Sequence, residues 1–194
     1  MTVAIVKYNA GNTASVSNAL RRLGVEPVIT DDPERLRLAD QVIFPGVGEA
    51  STAMAFLRER RLDETIRSLT QPVLGICLGM QLLCESSEEN DSQCLGLIPF
   101  TVRRFKDKDI KVPHIGWNSI DSLQGPLFKG VTEGSHVYFV HGYFVEEGPA
   151  TIAACTYGAT FSAAVEFANF HAVQFHPEKS GAIGEAILRN FLEL

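Results

Sequence analysis

The chain has 194 residues and a formal net charge of -6, with a pI near 5.4. Hydrophobic residues make up 45% and charged residues 21%, which excludes a disordered chain and supplies a full core for one domain over residues 1–194. The acidic balance excludes a nucleic-acid surface, which needs a dense basic field, and no apolar run reaches the roughly 20 residues of a membrane helix.

Met1 to Lys7 reads as a buried first strand and not as a signal peptide. Cys77, Cys84, Cys94 and Cys155 form no C-x-x-C pair and read as cytosolic thiols, so a cytoplasmic location is expected. Val3 to Val6 is strand-like. Val16, Ala19, Leu20 and Leu23 repeat at helical spacing across Ser15 to Leu23, with Gly24 as the stop. Val25 to Ile29 reads as a strand, Asp32-Pro33 opens a helix through Leu38, and Gln41 to Phe44 is a third strand. Ala53 to Leu69 reads as one helix, Pro72 to Ile76 as a strand and Leu78 to Glu85 as a helix. This alternation predicts an α/β fold with a mostly parallel sheet and helices on both faces.

The second half changes rhythm. Phe100 to Pro113, His136 to Phe144, Thr151 to Tyr157, Ser162 to Phe167 and Ala172 to Phe175 read as strands, which predicts an antiparallel extension of the sheet. Ile183, Ile187, Leu188, Phe191 and Leu192 form the apolar face of a closing helix, with Ser180 as its predicted cap.

Between Pro72 and Leu83 an apolar strand runs into G-x-C-x-G and then into a helix. This is the nucleophile-elbow pattern with cysteine in place of serine. The glycines leave room for a tight turn that presents Cys77 at the C-terminal edge of the sheet, where α/β proteins bind ligands. The turn also sets Cys77 at a helix N-terminus, which favours negative charge. Alone, the motif fits a buried structural cysteine equally well, because short glycine motifs are common.

After a strand, Phe175-His176-Pro177-Glu178 offers a histidine and a carboxylate two residues apart. A cysteine nucleophile needs a base, and the base needs a group that fixes its tautomer; His176 and Glu178 suit those two roles. As metal ligands, His171 and His176 lack third and fourth partners at zinc spacing, so neither a metal nor a cofactor is called for. Each motif supplies what the other lacks. Pro45-Gly46-Val47-Gly48 follows the third strand, and its glycines let backbone amides turn toward a substrate oxygen, as an oxyanion hole requires. By itself it fits an ordinary loop as well, and it has no Lys and Ser/Thr for a phosphate loop.

P-G-V-G, G-I-C-L-G-M-Q and F-H-P-E, in this order, resemble the class I, triad-type glutamine amidotransferases along nearly the whole chain. Pro113-His114-Ile115-Gly116-Trp117-Asn118, Tyr138-Phe139-Val140-His141 and the lysine after H-P-E narrow the resemblance to the glutaminase subunits of imidazole glycerol phosphate synthases. It implies a flavodoxin-like fold, a place in histidine biosynthesis, and a heterodimer with a (β/α)8-barrel cyclase that uses ammonia released from L-glutamine. It implies Cys77, His176 and Glu178 as the triad, with amides of Gly46, Val47, Gly48 and Leu78 at the oxyanion. Gly48, Gln81, Glu89 and the Gly142-Tyr143 backbone would hold glutamine. Asn12, Trp117, Tyr138 and Lys179 would face the barrel near the ammonia route.

Two departures stand out. Gly142 replaces the Ser or Thr of many relatives, and Lys7-Tyr8-Asn9-Ala10 replaces an Asp-Tyr-Gly start. The glycines around Val47 also suggest a peptide that flips, so the isolated chain is expected to hydrolyse glutamine slowly until the partner selects the active orientation. The competing readings are a glutaminase serving another synthase, a non-catalytic binding subunit on the same fold, and a flavodoxin-like electron carrier.

Overall fold

Four consecutive apolar residues make Val3–Val6 a strand buried on both faces, β1. In the computed structural model, which describes residues 1–194, α1 (Thr13–Arg22), β2 (Val28–Thr30), α2 (Pro33–Leu38), β3 (Gln41–Gly46), α3 (Ala50–Glu59), α4 (Leu62–Arg67), β4 (Val73–Cys77) and α5 (Leu78–Leu83) follow. Asp32 caps α2, accepting from the N–H of Glu34 at 2.9 Å. The single helix expected from Ala53 to Leu69 is broken at Arg61, which sits at φ 55. Leu57 and Leu62 are both fully buried. Five residues apart on a straight helix they would point about 140° from each other, and the break brings both to the core.

The second half runs β5 (Cys84–Ser87), β6 (Ser92–Gln93), β7 (Ile98–Arg104), β8 (His114–Ile120), β9 (Ser135–His141), β10 (Tyr143–Val145), β11 (Thr151–Tyr157), β12 (Ala159–Phe167), β13 (Phe170–Val173) and α6 (Gly181–Leu192). The strand expected from Phe100 to Pro113 stops at Arg104, because the following Lys106-Asp107-Lys108-Asp109 run has no apolar face. His114 to Ile120, not read as a strand, is β8; it exposes its apolar Ile115 and Trp117, the reverse of the usual alternation. Ser180 does not cap α6 with its side chain. Its hydroxyl donates to the His176 carbonyl at 2.7 Å and accepts from the Tyr138 N–H at 2.9 Å, tying the start of α6 to His176 and to β9.

The main sheet has the order β2-β1-β3-β4-β13-β12-β10-β7-β5-β6, with β11 on β12; β8 and β9 form a separate hairpin. β2, β1, β3, β4 and β13 pair in parallel, and β12, β10 and β7 continue antiparallel. Alternate residues of β1 feed two cores. Ala4 and Val6 pack with Met54, Leu57, Leu62 and Leu82 on one face; Val3 and Ile5 pack with Val16, Leu20, Ile187 and Phe191 on the other. Helices therefore cover both faces of the parallel part. The C-terminal ends of β3, β4 and β13 lie side by side, with Gly46 in register with Cys77, and they position the site.

Candidate active site

The chain reverses at Cys77, between β4 and α5, with φ 52 and ψ -108. A residue with a side chain in that conformation costs about 1–3 kcal/mol and persists only where its surroundings enforce it. Here β4 and α5 are buried throughout. A Cβ on Gly75 would come within 2.7 Å of Leu83 Cδ1, and one on Gly79 would overlap the Phe44 carbonyl oxygen. Both glycines therefore serve the close packing of α5 on β3 and β4.

His176 lies just past β13. Its N–H donates to the Tyr138 carbonyl at 2.9 Å, and its Nδ1 is 2.8 Å from Glu178 Oε1, with the two side chains 1% and 0% exposed. That bond fixes the tautomer: Nδ1 carries hydrogen for the carboxylate, and Nε2, buried and without a protein partner, is left for a reacting group. Burial alone would lower the His176 pKa. The Cys77 and Glu178 side chains outweigh it and push the value up to about 10.

Asn12, which the resemblance sets on the partner face, turns its side chain to Glu178: its Nδ2 donates to Glu178 Oε1 at 3.2 Å. It stands at the N-cap of α1 without capping the helix, so its side chain is free to reach the 177–179 turn.

Cys77 opens into a cavity of about 390 Å³ lined by Val47, Gly48, Leu78, Gln81, Glu89, Pro113, Val140, His141, Gly142 and Tyr143. Gln81 donates both amide hydrogens inward, to the Tyr143 carbonyl and to Gln174 Oε1, each at 3.0 Å. Its own Oε1 keeps no protein donor. Glu89 accepts from the Ala50 N–H at 2.7 Å, at the start of α3; burial raises its pKa, with that bond opposing. The Tyr143 carbonyl also lies 2.7 Å from His141 Nδ1, and the Gly142 carbonyl accepts from the Phe105 N–H. Of the Gly142-Tyr143 backbone, then, both carbonyls are already occupied. A wider cleft of about 450 Å³ around Arg103, Arg104 and Lys106 includes no triad residue.

The oxyanion loop holds one of the two orientations that its glycines allow. The Val47 N–H is bound to the Ala10 carbonyl at 2.6 Å, so it does not face a substrate oxygen in this state. Leu78 is the first residue of α5, where an N–H has no partner within the helix. Gly48 sits at φ +106, a conformation that suits glycine.

Two features escaped the sequence reading. Gln174 is fully buried, with Nε2 3.7 Å from Cys77 Sγ, so it links the nucleophile to Gln81. A glutamine inside the apolar run Ala172-Val173-Gln174-Phe175 was the available signal. His114 Nδ1 and His141 Nε2 are 3.1 Å apart. Because His141 Nδ1 donates to Tyr143, its Nε2 must accept from His114 in a pair of neutral rings. Burial pushes the pKa of His114 down to about 4 and that of His141 to about 3.

Trp117 and Tyr138 are cross-strand partners on β8 and β9, with ring centroids 6.1 Å apart. Lys179 Nζ is 5.9 Å from the Tyr138 ring. Trp117 is 56% and Ile115 58% exposed, so an aromatic and apolar surface flanks the triad.

The sequence matches the family model for glutamine amidotransferase class-I over residues 4–194. It is 57% identical over 196 residues to the imidazole glycerol phosphate synthase subunit HisH of Bacteroides fragilis (strain YCH46), covering 100% of both chains. It is 48% identical over 196 residues to the protein of that name from Escherichia coli (strain K12), again covering 100% of both. Among solved structures, a glutamine amidotransferase aligns with TM-score 0.78 at 22% identity, covering 100% of this chain and 98% of that one. PurLQS from Thermotoga maritima aligns with TM-score 0.71 at 18% identity, covering 99% and 97%; at such identity both likenesses speak for the fold alone. A strained cysteine, a carboxylate-held histidine and a match along the whole chain converge, and the chain belongs to the class-I glutamine amidotransferase family.

Proposed function

We propose that residues 1–194 act as one domain, the glutaminase subunit of an imidazole glycerol phosphate synthase, hydrolysing L-glutamine and passing the ammonia to a (β/α)8-barrel cyclase in histidine biosynthesis. The observation that carries the chemistry is the buried His176–Glu178 pair, with the His176 pKa raised by Cys77 and Glu178, beside a Cys77 that lines a cavity sized for an amino acid. The relatives' names supply the pathway.

In this reading His176 Nε2 takes the Cys77 thiol proton and the sulfur attacks the side-chain amide carbon of glutamine. The tetrahedral intermediate collapses as the imidazolium returns the proton to the departing ammonia. Water, deprotonated by His176, then cleaves the glutamyl thioester to glutamate. Glu178 holds the imidazole through both steps, and Asn12 holds Glu178. The Gln81 Oε1 and the Glu89 carboxylate are the acceptors for the substrate's amino group. Trp117, Tyr138 and Lys179 form the face toward the barrel.

The Leu78 amide is one oxyanion donor and Val47, with the flanking Gly46 and Gly48, the second. With its N–H held by Ala10, Val47 is out of position, so this is a resting state. Docking of the loaded barrel selects the turned-over peptide and prevents idle hydrolysis. Labelling with 6-diazo-5-oxo-L-norleucine, a reactive glutamine analogue, tests the site. Peptide mapping is expected to place one adduct on Cys77, with glutamine protecting; an adduct on Cys84, Cys94 or Cys155 instead would discard the assignment.

A further inference from the structure

The hydroxyl of Tyr8 is buried and has no hydrogen-bond partner. The residue is 8% exposed, and its ring packs 5.2 Å from that of Phe44. Buried tyrosine hydroxyls ordinarily find an acceptor, so an orphan one suggests an acceptor that arrives in another state. Its surroundings narrow the choice. A Cβ on Gly46 would fall on the Tyr8 oxygen, so the hydroxyl lies against the Gly46 α-carbon. Burial and then the nearby Cys77 charge raise the Tyr8 pKa, which keeps the phenol a donor. Two residues further along the same loop, the Ala10 carbonyl holds the Val47 N–H.

A trans peptide carries its C=O and N–H on opposite sides. While the Val47 N–H points at Ala10, the Gly46 carbonyl points away from the loop. When that peptide turns over to aim the N–H at the oxyanion, the Gly46 carbonyl swings toward the loop, where it meets the Ala10 carbonyl and needs a donor. We propose that Tyr8 is a positioning residue for the oxyanion loop, its hydroxyl donating to the Gly46 carbonyl in the turned-over state and so replacing the broken Val47–Ala10 bond. One hydrogen bond is lost and one gained, which leaves the two states close enough for contacts of a docked partner to choose between them. Val47, 40% exposed, is open to such contact. The inference rests on the partner-gated glutaminase reading and names the residue that holds its active state.

The test compares wild type and Tyr8→Phe, alone and in complex with the barrel cyclase plus imidazole glycerol phosphate. Losing this one bond is expected to lower kcat of the stimulated complex about tenfold. The KM for glutamine and the melting temperature stay unchanged. Full stimulation of Tyr8→Phe overturns the role of Tyr8 and leaves the glutaminase reading standing. A fall in melting temperature together with a raised KM for glutamine marks a merely structural residue and also overturns it. A wild-type chain that the loaded barrel does not stimulate brings down the gated reading and this proposal with it.

Discussion

The side-chain amide of Asn12 reaches to 3.2 Å from Glu178 Oε1, the same oxygen that accepts from His176 at 2.8 Å. In the proposed mechanism Asn12 acts on the base through its orienter, and the bond ties α1 to the turn at residues 177–179. Hydrogen bonds to charged groups contribute about 1.5–3 kcal/mol, and part of that is transmitted to the imidazole. Asn12→Ala is expected to lower kcat about tenfold with KM little changed, by the conversion of about 1.4 kcal/mol per decade. The loss should be the same in the isolated chain and in the complex. Steady-state kinetics in both settings check this; a defect confined to the complex would return Asn12 to the partner face.

Gly79 and Gly48 are both glycines of the site, yet they predict opposite failures. A Cβ at Gly79 strikes the Phe44 backbone, whereas one at Gly48 meets nothing within 4 Å. Gly79→Ala is expected to cost more than about 3 kcal/mol, roughly 6–12 °C in Tm for a chain this long. Gly48→Ala, limited to the cost of a positive φ of about 1–2 kcal/mol, lowers Tm by about 2–8 °C and loses glutaminase activity as the oxyanion loop stiffens. Calorimetry beside an ammonia assay separates them. A stable Gly79→Ala would contradict the packing account.

Much of this architecture was legible in the sequence, and the misses share physical causes. The β1-to-α5 alternation could be read because each element there has one burial pattern, either apolar throughout or amphipathic. β8 could not, because Ile115 and Trp117 face outward and its polar residues do not mark a solvent side. The proposed triad could be read because Cys77, His176 and Glu178 sit in short local motifs at the ends of β4 and β13. Asn12–Glu178 spans 166 residues and Gln81–Gln174 spans 93, and no local spacing announces such bonds. The orientation of the Gly46–Val47 peptide is a choice between two states of one sequence, which residue types alone do not decide.

Gln174 is predicted to act through both neighbours. Gln174→Leu removes the acceptor for Gln81 and the amide beside the sulfur, leaving buried polar atoms unpaired at about 1–3 kcal/mol. A fall in kcat/KM of about 10- to 100-fold follows. In a double-mutant cycle with Gln81→Leu the losses should be sub-additive by about 1 kcal/mol or more. Strict additivity would show that the two amides do not work as a unit.

The histidines set the pH limits of the fold. Burial keeps His114 and His141 neutral in the native state, down to about 4 and about 3, while in the unfolded chain they take protons below about 6.5. The native state then binds fewer protons, so stability falls as pH drops from about 6.5 toward 4, by about 2 kcal/mol per ring at pH 5. His171, also lowered by burial and partly held up by Glu166, acts in the same direction. His176 has the opposite sign. Raised to about 10, it contributes fully below its unfolded value and loses that contribution as pH climbs through about 10. Urea unfolding from pH 4 to 10 is expected to give a dome, with the acid limb shallower in His141→Asn; an unchanged acid limb would contradict the neutral pair.

The central claim is a partner-gated glutaminase built on Cys77. The most direct measurement is glutamate release from glutamine by the purified chain, with and without the barrel cyclase and its nucleotide substrate, beside Cys77→Ala. The account predicts slow hydrolysis alone, strong stimulation by the loaded barrel, and no hydrolysis by Cys77→Ala in either setting. Rapid turnover by the chain alone, or stimulated hydrolysis that survives Cys77→Ala, would contradict it.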